Sequence, residues 1–78
     1  MNNLEKFKRS FFEFAKEDLK RTKNEIELEL VSNTIEDMLR SMFPLIVKGN
    51  DYFELWNKIE KTVNEIGNKR GYTNYLKK

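Results

Sequence analysis

The stretch NEIELELVSNTIEDMLRSM, residues 24–42, decides how this chain folds. Glu25 to Leu30 alternates polar and apolar residues, and taken alone it reads as a strand. From Leu28 onward, Val31, Ile35, Met38 and Met42 follow at alternating steps of three and four. At about 100° per residue that spacing gathers them on one side of a helix. The helical pattern is the longer of the two, and Glu and Leu are good helix formers. The stretch is therefore read as a helix, which leaves Ile26 and Leu30 off its main stripe.

Two further stripes flank it. Upstream, Leu4, Phe7, Phe11, Phe14, Ala15 and Leu19 share a face, and Asn2 or Asn3 is placed to cap that helix. Downstream, Tyr52, Leu55, Trp56, Ile59, Val63 and Ile66 repeat at the same spacing. The first and second stripes differ in phase by roughly 150–200° if the helix is straight. Asn24 and Glu27 also have the spacing of a capping box, so a turn is expected near residues 21–24. The alternative is one long helix offering opposite faces to two neighbours, an arrangement that favours a dimer.

Pro44 lacks a backbone N–H, so the second helix is expected to end or kink by Phe43. Leu45 to Val47 then form a short turn closed by Gly49. Asp51 with Glu54 makes a second capping-box spacing, and Gly67 is a suitable residue to stop the helix that follows. The expected architecture is an all-α three-helix bundle with helices near 4–21, 25–43 and 52–66. Its second helix is kinked at Pro44, the bundle occupies residues 1–67, and residues 68–78 form a short basic tail.

At 78 residues there is room for one domain, and a chain this short buries only about 60% of its unfolded surface. It contains no Cys, so disulfides and thiolate-bound metals are excluded as staples, and homodimerisation is one remaining route to stability. No apolar run approaches the roughly 18 residues of a membrane span, and no secretory signal opens the chain. The expected compartment is the cytoplasm.

Catalysis is tested by inventory. With neither His nor Cys, acid–base chemistry falls to Asp, Glu, Lys or Tyr with shifted pKa values, which need a cleft a bundle this small lacks. Glu36 and Asp37 are adjacent and diverge on a helix. The glycines stand singly, so there is no phosphate loop, and no Asp-x-Asp-x-Asp loop offers a hard metal its oxygen ligands. No enzymatic activity, cofactor, metal or small-molecule substrate is expected.

Charge is unevenly distributed along the chain. Residues 1–23 carry a net +3, residues 24–39 a net −5, residues 40–66 balance, and residues 67–78 carry +4. The acidic middle and the off-stripe apolar residues point to a protein partner. The candidate contacts are Phe12, Ile26, Leu30 and Phe53, with Glu25 and Glu29 beside them. The leading reading is a non-enzymatic module that regulates or inhibits a larger complex by covering one of its surfaces. Small cofactor-free inhibitors encoded by phages and mobile elements are a class-level analogy.

One alternative is a nucleic-acid-binding accessory protein whose tail uses Lys69, Arg70, Tyr72 and Tyr75 to hold phosphates and stack on bases. Another is a structural subunit of an assembly. A ribbon-helix-helix arrangement would aim Glu25, Glu27 and Glu29 at DNA phosphates, which argues against it.

Overall fold

Asn24 starts the second helix by capping it. Its side-chain oxygen accepts a hydrogen bond from the Glu27 N–H at 2.8 Å. Its backbone carbonyl accepts the first helical bond, from the Leu28 N–H at 3.0 Å. The Glu27 carboxylate reaches back to the Lys23 N–H at 2.8 Å, one residue beyond the usual reciprocal partner. The chain accordingly turns at residues 21–24, and the single long helix does not form.

The computed structural model describes residues 3–46 and 49–73, apart from the side chains of residues 43–49. It is a three-helix bundle built from α1 (Asn3–Lys20), α2 (Glu25–Ile46) and α3 (Gly49–Arg70). No strand occurs among the described residues, so the ribbon-helix-helix alternative lacks its ribbon. Lys8, near the start of α1, bonds Asp51, near the start of α3, at 3.0 Å. Arg70, the last residue of α3, reaches the carbonyl of Lys20, the last of α1, at 2.9 Å. α1 and α3 therefore run parallel, and α2 returns between their ends. The 38 Å long axis is close to the roughly 33 Å length of a 22-residue helix.

The core takes three residues from each helix: Phe11, Ala15 and Leu19; Leu28, Ile35 and Leu39; Leu55, Ile59 and Val63. Fully burying a Leu or Ile stabilises by about 1.5–3 kcal/mol, so these nine carry the fold. The stripes are where the spacing puts them, but their centres differ from expectation. Leu39 is fully buried, whereas Met38 and Met42 only pack against the core from its edge. Phe14 is 45% exposed, and Trp56 is half-buried rather than central. An apolar stripe wider than the helix–helix contact leaves its edge positions partly in water. The larger the side chain at an edge, the less of it three short helices can cover.

Three boundaries also differ. α2 runs through Pro44 to Ile46 instead of ending at Phe43. Proline there forfeits one bond, to the Arg40 carbonyl, within the final turn. Gly49 opens α3 rather than closing a turn, and Asp51 lies inside the first turn of α3, where it pairs with Lys8 instead of capping. Gly67 is buried within α3, and the helix ends at Gly71, whose φ is +77°. The Tyr72 N–H bonds the Gly67 carbonyl at 2.9 Å and the Gly71 N–H bonds that of Asn68 at 3.1 Å, the paired bonds of a Schellman stop. Left-handed backbone is needed at residue 71, and glycine supplies it without strain. Asn2, Val47 and residues 74–78, including Tyr75, lie outside the described residues, as do the side chains of Phe43, Leu45 and Ile46.

Candidate functional site

α2 presents a mixed apolar and acidic outer face. Ile26 and Leu30 stand one turn apart and are 70% and 61% exposed. Glu29 beside them is exposed and Glu25 half-buried. The helix carries five carboxylates against one guanidinium, Arg40. Arg40 is engaged at home: its Nη2 donates to Glu36 at 2.9 Å and its Nε donates to the Tyr52 hydroxyl at 3.2 Å. The hydrogen bond to Tyr52, followed by the charge of Glu36, holds this guanidinium above its ordinary pKa.

Phe53, on α3, is 63% exposed and stacks edge-on against Tyr52 at 5.4 Å. It lies near the start of α3 and so at the opposite end of the bundle from Ile26, which follows the α1–α2 turn. The structure therefore keeps Ile26, Leu30, Glu25 and Glu29 together and sets Phe53 apart. Phe12 is not on this face either. It packs half-buried against the core, where it lines a groove between α1 and α3.

That groove was not foreseen from the sequence. It has a volume of about 440 Å³, and Phe12 and Ile66 supply its apolar lining. Lys16 and Lys20 stand on the α1 side, and Lys58, Lys61 and Lys69 on the α3 side with Glu65 among them. No carboxylate comes within 4 Å of the amine of Lys16, Lys58, Lys61 or Lys69 among the described residues. Lys20 lies 4.0 Å from Glu17. On α1, residues 12, 16 and 20 are four apart and form one ridge, which was the available signal. Its α3 counterpart is 38 or more residues away, so only the tertiary pairing of the helices completes the groove.

The tail residues separate. Lys69 lines the groove, but Arg70, though exposed, reaches back to the α1–α2 turn. Its Nη1 donates to the Thr22 carbonyl at 2.7 Å and to the Thr22 hydroxyl at 3.0 Å. Its Nη2 donates to the Lys20 carbonyl. The Tyr72 ring lies 5.9 Å from this guanidinium and packs against the core. Arg70 and Tyr72 thus hold the α1–α2 turn and do not form an outward platform.

Among the described residues no group of three or more Asp or Glu is gathered as a metal would need, and no helix is long and apolar enough to cross a membrane. The chain matches no model of a known protein family, no curated protein and no solved structure, so its surfaces alone carry the functional reading.

Proposed function

We propose that this chain is a non-enzymatic protein-binding module that regulates or inhibits a larger complex by docking the outer face of α2 and covering the surface beneath it. The observation that carries the reading is the exposure of Ile26 and Leu30 at i and i+4, beside the carboxylates of Glu25 and Glu29. Two large aliphatic side chains one turn apart are the anchor spacing by which an amphipathic helix fills an apolar groove. The fold gains little from leaving them in water. The flanking carboxylates call for Lys or Arg around the partner's groove, which speeds encounter and fixes orientation. Regulation then follows from occupancy: whatever uses the covered surface is displaced.

The test is capture from native cells with the tagged full chain, comparing wild type with the Ile26→Ser/Leu30→Ser double variant. Losing one buried anchor weakens a typical interface about tenfold, so a partner held by wild type disappears from the double variant. Circular dichroism should report the same helical content for both. Undiminished capture by the double variant refutes this choice of face. If the captured protein is a second copy, the mass of the free protein in solution reveals a homodimer, and the face becomes a self-association surface.

A further inference from the structure

We propose that the groove between α1 and α3 binds single-stranded nucleic acid, gripping the phosphate backbone between its two rows of lysines. This site is distinct from the outer face of α2, because in a bundle of three mutually packed helices the α1–α3 seam lies opposite the remaining helix.

The first argument is what the lysines do not do. Of the cations outside the groove, Lys8 is committed to Asp51, Arg40 to Glu36 and Tyr52, and Arg70 to the α1–α2 turn, whereas Lys6, Arg9, Arg21 and Lys23 stand exposed and do not line it. Lys16, Lys58, Lys61 and Lys69 make no such contact among the described residues, although Glu65 stands on the same wall. Like charges crowded into one groove repel one another and destabilise the compact state, while their summed field concentrates a polyanion there. The fold does not need this arrangement. A phosphate chain does.

The second argument is spacing. Lys58 and Lys69 are eleven positions apart on α3, about 16 Å along the helix, long enough to follow several successive phosphates of one strand. The groove offers five lysines over that reach. The third is the lining. Phe12 and Ile66 give the groove an apolar surface, which the face of an unpaired base can cover. A duplex brings only phosphates and sugars to a shallow surface and would leave that lining wet. The acidic α2 on the opposite side repels any strand not seated in the groove, so a single track is favoured.

The experiment is fluorescence anisotropy of the full chain with a labelled oligothymidine of about 20 nucleotides, in parallel with a duplex of the same length. With four or five lysines engaged, the logarithm of affinity should fall with the logarithm of salt at a slope near −3. Binding then weakens roughly 50- to 130-fold between about 50 and 200 mM salt. The Lys58→Glu/Lys61→Glu variant should lose binding with unchanged helical content. Lys58→Arg/Lys61→Arg should retain it, and so should Lys23→Glu, which lies in the α1–α2 turn. No binding at the lower salt overturns the proposal, as does equal binding by the Glu double variant or a duplex held as tightly as the strand.

Discussion

Arg70 shows how much of this fold can hang on one side chain near the end of the described chain. A helix leaves its last carbonyls without intrahelical donors, and α1 ends beside a turn whose residue 22 is buried. The Thr22 hydroxyl donates to the Leu19 carbonyl at 2.6 Å and accepts from Arg70, so no polar atom is stranded there. The planar guanidinium spans the carbonyls of residues 20 and 22 at once, which a single ammonium cannot do. Arg70→Ala is expected to lower stability by about 1–2 kcal/mol in urea denaturation, and Arg70→Lys to recover less than half of that. In the sequence Arg70 reads as part of a basic tail. Its partners are 48 and 50 residues away, and nothing local marks them.

At the scale of elements, the signals that could be read were those in which cause and effect lie within a turn or two. Asn24 capping α2 is one, and its removal has a defined consequence. Asn24→Ala should destabilise the protein by about 1 kcal/mol, measured as a shift in thermal midpoint with the native spectrum intact. The stripes on α1, α2 and α3 are another, because side-chain direction along a helix follows from its pitch alone. Helix ends were less legible. In the sequence Gly67 reads as the stop of the third helix. The choice falls on Gly71 because α3 has buried contacts as far as Val63 and Gly67, and a stop at residue 67 would leave Arg70 without a helix to position it. Pro44 acts late in α2, where one missing donor is tolerated.

For the whole molecule, the parallel pairing of α1 and α3 is the organising fact, and the Lys8–Asp51 contact pins its first turns. The Lys8 amine is held above its ordinary pKa, chiefly by the hydrogen bond to Asp51, with partial burial opposing and the charges of Asp51 and Glu5 reinforcing it. A raised value in the folded state means the stabilisation is complete below the unfolded lysine pKa of about 10.4 and is lost as pH rises past the folded value. The difference in urea midpoint between wild type and Lys8→Met should therefore be constant from pH 6 to pH 9, on the order of three units, and shrink in strong alkali. A difference that vanishes near neutrality would show that the contact does not hold the helices.

The same pairing sorts the charge. In the chain, basic and acidic residues are interleaved in α1 and balanced in α3, and neither helix looks like a polyanion site. Side by side, they bring five lysines to one groove.

The sequence by itself determined the apolar stripes, favoured a turn at residues 21–24 over one long helix, and put Ile26 and Leu30 off the main stripe, since each depends on the fixed periodicity of a helix and its caps. That the two side chains face outward came from the structure. Only the tertiary structure decided that Phe12 lines a groove, that Lys16 shares it with Lys61 and Lys69, and that Arg70 is spent on Thr22 and Lys20. Those relations join residues more than 40 positions apart, and no local rule of chain geometry reaches that far.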